Sequence, residues 1–161
     1  MSDAGPLIGL AIINALPLVN ELFRAIMIPE AVAQELHLES DMPGARALAV
    51  AKEQGWLQIM PVGDVPDHLL VVVDRGEAEA ITLAKQKALP LLIDESRGRL
   101  AARNESVAVF GLGALLLRAK ERRLVPAVSP YLSALTAAQY RISKQQQVEI
   151  LRQADEFGAT G

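Results

Sequence analysis

The sequence predicts an α/β domain whose parallel sheet is covered on both faces by helices. Three observations carry that prediction. Short, unbroken apolar runs alternate with longer amphipathic segments, and strands buried on both faces read as continuous apolar runs rather than alternating ones. The chain has 161 residues, 51% of them hydrophobic and 22% charged, which suits one domain burying about two-thirds of its surface. A mean hydropathy of +0.24 at that charge content excludes intrinsic disorder.

The elements follow in order. Residues 4–20 carry no charge over 17 positions. A spanning helix needs about 20 apolar residues, no basic residue precedes the run, and Pro6, Asn14 and Pro17 interrupt it. The segment is therefore expected as a buried helix from Pro6 to about Phe23 in a soluble, cytoplasmic protein, with no membrane contact. An apolar run Ala25–Ile28 follows, and Pro29 opens a helix through Val32 and Leu36. Pro43 opens a third helix that Gly55 closes, and residues 56–60 read as a strand. After a Pro/Asp-rich loop, Asp74 begins a helix to about Ala88. A strand at 89–93, a helix from Glu95 to Arg103, a strand at 107–110 and a helix ending near Arg123 complete the alternation. Residues 124–130 read as a linker. Residues 130–157 read as two more helices, the second capped by Ser143. This divides the chain into a core domain, 1–125, and a helical extension, 126–161, that packs on the core or presents Tyr131, Leu132, Leu135 and Tyr140 to a partner.

The formal net charge of -3 conceals an asymmetry. Residues 1–96 hold 14 acidic and 6 basic side chains, whereas residues 97–123 hold 7 basic and 2 acidic ones. Solvated helix faces that happen to differ in sign would give the same count. There is no cysteine and there are only two histidines. Disulfides, thiolate metal sites and a cysteine nucleophile are thereby excluded, and a His-rich metal site is disfavoured.

Ligands of open parallel sheets bind beyond the carboxyl ends of the strands, where Asp94 and Glu95 directly follow the strand at 89–93 and Asp3 precedes the first helix. Each of them also suits a helix cap or a helix dipole. Glu77 fits a capping box opened by Asp74, yet it shares a helical face with Ile81, Ala84 and Ala88 and so opens an apolar stripe. Glu79 lies on a different face of the same helix. Glu35 sits one turn after Val32, beside Leu36. Carboxylates gathered from separate segments repel one another unless something positive binds among them. Without cysteine, that ion would be Mg²⁺ or Mn²⁺, hard cations that prefer oxygen ligands.

Four segments in this order resemble the PIN-domain nucleases: Ser2-Asp3-Ala4-Gly5-Pro6-Leu7-Ile8, Pro29-Glu30-Ala31-Val32-Ala33-Gln34-Glu35-Leu36, Gly76-Glu77-Ala78-Glu79-Ala80, and Ile93-Asp94-Glu95 with Arg97-Gly98-Arg99. The likeness covers about residues 2–125 and is greatest to a prokaryotic branch found in toxin–antitoxin pairs. It implies a three-layer α/β/α sandwich and a divalent metal held by Asp3, Glu35, Glu77 and Asp94, which are also the catalytic residues. The metal would activate water to hydrolyse RNA. Glu95 competes with Asp94 for the last position: the Ile-Asp-Glu pattern favours Asp94, and register on Pro90 favours Glu95. The strand that leads into the first aspartate of the family would here be very short, or the sequence begins late. Arg97 and Arg99 are placed to meet RNA phosphates beside the metal, and Arg118 and Lys120 to extend that track. With 4% aromatic residues, base stacking is not the main readout. The partners expected are an RNA substrate, a small antitoxin and a second copy of the chain. The competing expectation is a PIN-fold binding module in which the acids persist without competent geometry. A receiver-like phosphoacceptor domain would want two adjacent acids after its first strand, where Asp3 stands alone.

Overall fold

The computed structural model describes residues 1–158, and the chain alternates helices with short strands as the apolar runs predict. In order the elements are α1 (Ala4–Ile12), α2 (Pro17–Phe23), β1 (Ile26–Pro29), α3 (Glu30–Glu35), α4 (Ala45–Glu53), β2 (Leu57–Met60), α5 (Asp67–Val72) and α6 (Arg75–Lys87). They continue through β3 (Leu91–Leu92), α7 (Ser96–Asn104), β4 (Val109–Phe110), α8 (Leu112–Glu121), α9 (Ser129–Ala137) and α10 (Lys144–Gln153).

All strand pairing is parallel. β1 lies against β2 with Ile26 opposite Leu57, and β3 against β4 with Leu91 opposite Val109. Residues 1–3 bridge the two pairs. The Ser2 amide donates to the Met27 carbonyl at 3.2 Å, the Asp3 amide to Leu92 at 3.0 Å, and the Leu92 amide to Met1 at 3.0 Å. The strands thus form two pairs joined through the N-terminal residues rather than one continuous ladder. They are short for a chemical reason: Pro29 and Pro90 have no N–H to extend a ladder. Because Ser2 and Leu92 are parallel neighbours, Asp3 and Asp94 leave the sheet at the same edge.

Several boundaries differ from those expected. The helix from Pro6 to Phe23 is two helices, because Pro17 cannot donate to the preceding turn and Asn14 takes a left-handed φ of 57°. Helix α4 starts at Ala45, after Gly44 turns the chain with a φ of 85°. Helix α5 falls in the expected Pro/Asp-rich loop. Its Val71-Val72-Val73 run gives no helical stripe, and only Leu69 and Val73 face inward while Val71 is 84% exposed. The strands at 56–60, 89–93 and 107–110 shorten to 57–60, 91–92 and 109–110.

Helix α6 runs through the middle of the molecule. Every residue from Gly76 to Ala84 is buried, so the helix is enclosed on more faces than one stripe would give. Glu79 is satisfied on a side of its own: it accepts the Ala31 amide at 3.1 Å and pairs with Arg75 at 2.9 Å. It thereby caps α3, whose N-cap position is Pro29 and makes no side-chain cap bond.

Residues 126–158 lie on the core through Val128, Leu132 and Leu135. Glu156 clasps this segment. Its carboxylate accepts the Val128 amide at 2.7 Å, the Ser129 amide at 2.8 Å and the Lys120 ammonium at 2.8 Å. No described helix is long and apolar enough to cross a membrane.

Candidate active site

A cleft of about 480 Å³ opens at the sheet edge where Asp3 and Asp94 emerge. Asp3, Glu35, Asp74, Glu77, Asp94 and Glu95 all line it, as do Gln139, Tyr140 and Arg141 from the C-terminal extension. The five acids singled out in the sequence therefore meet in one place. Each arrives from a different kind of position. Asp3 stands at the head of α1, Glu35 at the end of α3, Glu77 in the first turn of α6, and Asp94 and Glu95 between β3 and α7.

Local chemistry explains how they are held. Asp74 caps α6 by accepting the Glu77 amide at 2.8 Å. The reciprocal half of the capping box is not made, which leaves the Glu77 carboxylate to the cleft. Two glycines make room for carboxylates: a Cβ on Gly98 would lie 2.7 Å from Glu77 Oε1, and one on Gly76 would overlap Glu35 Oε1. Asp94 Oδ1 accepts the Leu112 amide at 3.0 Å and so caps α8, while Oδ2 accepts the Tyr140 hydroxyl at 2.5 Å. Burial, then the Asp94 charge, hold the Tyr140 phenol well above its usual range, so it remains a donor.

The electrostatics of the cleft are unfavourable as it stands. Burial pushes Asp3 up to about 6; the Ala4 amide opposes this, and the charges of Asp74 and Asp94 add to it. Burial and then the Asp74 and Asp3 charges raise Glu35 and Glu77 to about 7 each. Asp3 is 8% exposed, and its Oδ1 is buried with no hydrogen-bond partner. An orphaned carboxylate oxygen among like charges is a costly arrangement, and a cation relieves it. The donor set is all oxygen, which fits a hard divalent ion. Among the described residues no three of these groups stand close enough together to form a ligand cage, so the fit is one of chemistry and location.

The DUF3368 family model, described as a PIN domain, matches residues 1–156. The chain belongs to the PIN-domain family. PIN domains are generally nucleases and typically use divalent metals. The match to the PIN domain runs through Tyr140 and ends at Glu156, so it takes in the extension as well as the core. No curated protein and no solved structure shows a significant match to the chain.

The basic residues expected to track RNA divide into two groups. Arg97 is exposed on the first turn of α7, and Arg99 lines a cavity that adjoins the cleft at Asp94. Arg118 lies elsewhere, on an apolar hollow with Phe23 and Phe110. Lys120 is committed to Glu156 and to the Ala154 carbonyl at 2.5 Å, so its charge serves the C-terminal clasp rather than a ligand track. Sequence reasoning passes over four polar cleft residues of this PIN domain: Asp74, Gln139, Tyr140 and Arg141. Asp74 read as a helix cap, which it is, although it also faces the other acids. Tyr140 and Arg141 lie 46 and 47 positions beyond Asp94, and no spacing rule links such distant segments.

Proposed function

We propose that this PIN domain is a metal-dependent endoribonuclease built on a three-layer α/β/α sandwich, acting as the toxin of a type II toxin–antitoxin pair. The observation that carries the reading is the convergence of Asp3, Glu35, Glu77, Asp94 and Glu95 on one cleft, three of them pushed toward neutrality by burial and mutual repulsion. Asp3, Glu35, Glu77 and Asp94 would hold Mg²⁺ or Mn²⁺, with Glu95 as the alternative to Asp94. When bound, the ion supplies Lewis-acid stabilisation of charge building on phosphate oxygens and lowers the pKa of water.

The chain's own residues do the rest. Asp74 fixes the first turn of α6 and with it Glu77. The Leu112 amide and the Tyr140 hydroxyl orient Asp94, each taking one lone pair of one oxygen and leaving a second for a ligand. Arg97 and Arg99 meet the phosphates that flank the cleavage point. A small antitoxin that covers the acidic cleft would silence it.

Cleavage of RNA by the full chain should require Mg²⁺ or Mn²⁺ and stop in a chelator. Asp3→Asn should lose at least about 100-fold, since even outer-shell changes at metal sites cost 10–100-fold. Undiminished cleavage by the folded variant would overturn the assignment. Tyr140→Phe keeps the ring over Gly9 and removes only the hydroxyl. It should weaken Mn²⁺ binding and cleavage by about 10-fold, read by calorimetry and by initial rates at saturating metal.

One observation favours a second reading, a PIN-fold binding module without catalysis: both oxygens of Asp94 already have protein donors, and no described triad of acids is close enough to ligate. Absence of Mn²⁺ binding at millimolar metal would select it.

A further inference from the structure

Behind Asp94 lies a second cavity, of about 350 Å³, that shares Asp94 and Arg141 with the acidic cleft. Its lining has a different character. Arg99 and Arg141 contribute two guanidinium groups, and among the described residues neither has a carboxylate at ion-pair distance. Glu149 lines the same cavity but is occupied by Arg152 at 3.3 Å and by Gln153 at 2.8 Å. Phe110, Ile142 and Ile150 supply apolar surface. Gln146 adds a carboxamide whose oxygen is taken by the Ser143 amide at 2.9 Å, leaving its NH₂ free to donate.

Gly111, on the wall of the second cavity, lets Asp94 and Arg99 pack closely against the backbone. A Cβ there would lie 2.8 Å from Arg99 Nη1 and would overlap Asp94 Oδ1. Arg99 and Asp94 thus face one point above this glycine without forming an ion pair. With no carboxylate at ion-pair distance, the Arg99 guanidinium keeps donors for a phosphate held on the cavity side of this contact.

From this geometry we propose that the second cavity is a nucleotide subsite. It receives the nucleotide next to the scissile phosphate, with Arg99 and Arg141 on the phosphate, the Phe110–Ile142–Ile150 wall against the base, and Gln146 at a base-edge acceptor. The proposal rests on the nuclease reading and names the part of the RNA that the C-terminal extension recognises. Its size suits one nucleotide: sites for small ligands begin at about 300 Å³ and combine apolar walls with a few placed polar groups. Stacking on one aromatic face and charge-assisted bonds to phosphate both tolerate any base, so the subsite holds a strand without strict sequence choice.

The test titrates the full chain, in chelator, with adenosine and uridine 5′-monophosphates, the matching nucleosides and inorganic phosphate, followed by amide chemical shifts. Nucleotides should bind at least about 10-fold tighter than either fragment, and the shifts should centre on Phe110, Gly111, Gly113 and Ile142. Arg141→Ala should weaken nucleotide binding by about 10-fold, the scale of a hydrogen bond to a charged group, and leave nucleoside binding unchanged. Equal affinity for nucleotide and phosphate would reduce the cavity to an anion patch and overturn the proposal, as would an Arg141→Ala protein that binds nucleotide undiminished. RNA cleavage without nucleotide binding defeats the subsite and spares the nuclease reading. Nucleotide binding by a protein that cleaves nothing supports the subsite and defeats that reading.

Discussion

Glu77→Gln is expected to abolish RNA cleavage and, in metal-free solution at pH 8, to make the protein more stable. The two effects have one cause. Glu77 is 6% exposed and its pKa is raised to about 7 by burial and by the Asp74 and Asp3 charges, so ionising it above neutrality costs the fold free energy. A neutral amide of nearly the same shape removes that cost, and its NH₂ can donate to the neighbouring acids. Each pKa unit corresponds to about 1.4 kcal/mol; discounted for solvent at the cleft mouth, a gain of about 1–2 kcal/mol is reasonable. For a chain of this size that raises Tm by roughly 2–8 °C.

The same groups set a pH dependence. Asp3, Glu35 and Glu77 have folded pKa values of about 6, 7 and 7, above their ordinary values of 3.8, 4.5 and 4.5. Between roughly pH 4 and 7 the folded state therefore binds more protons than the unfolded one, and stability falls as pH rises through that window. Saturating Mn²⁺ should reverse the slope, because the ion binds the ionised form and its affinity grows as protons leave. Melting curves at pH 5.5 and 8, with and without Mn²⁺, check both signs. A Glu77→Gln protein that is less stable than the parent at pH 8 without metal would contradict the account.

Breaking the C-terminal clasp should have the opposite effect on stability. Burial pushes Glu156 up, but Lys120 and the Val128 and Ser129 amides outweigh it and hold the carboxyl at about 2. Glu156→Ala would leave a partly buried ammonium without its counter-charge, held only by the Ala154 carbonyl, and two helix-start amides without their acceptor. Removing one partner of a buried pair costs about 3–5 kcal/mol, so Tm should fall by roughly 6–20 °C. The depressed pKa gives the opposite pH sign from the cleft: this stabilisation is present above the ordinary value of 4.5 and is lost as pH falls through about 2. On these four groups, metal-free protein should accordingly be most stable at about pH 4, where the two windows meet. Because the clasp fixes the start of α9, and α9 leads to the turn bearing Tyr140, Mn²⁺ binding should weaken in Glu156→Ala even at temperatures where it is folded.

Much of this was legible from residues alone. The alternation of apolar runs with helical stripes gave parallel strands and their approximate places, because a strand buried on both faces has no polar side to show. Helix α5 was not legible, since its Val-rich segment buries only two residues and carries no stripe. Likewise Glu77 could be placed on an inward face by its spacing from Ile81 and Ala84, and Glu79 on another, where it caps α3. Charge runs were less informative. Arg99 and Lys120 belong to the same basic stretch, yet one borders the cleft and the other is neutralised by Glu156. Local sequence sets the sign of a charge, and only packing sets its partner.

The sequence by itself determined the parallel α/β class and nominated Asp3, Glu35, Glu77, Asp94 and Glu95, because periodicity and strand ends are local properties of the chain. The tertiary structure alone decided that Asp74, Tyr140 and Arg141 join them, that Asp94 is oriented from two sides, and that a second cavity opens behind it. Those facts depend on contacts between separate segments, from Leu112 on Asp94, 18 positions apart, to Tyr140 on Asp94, 46 positions apart. No periodicity encodes such contacts; they form only when the core has closed and the extension has folded back across the cleft.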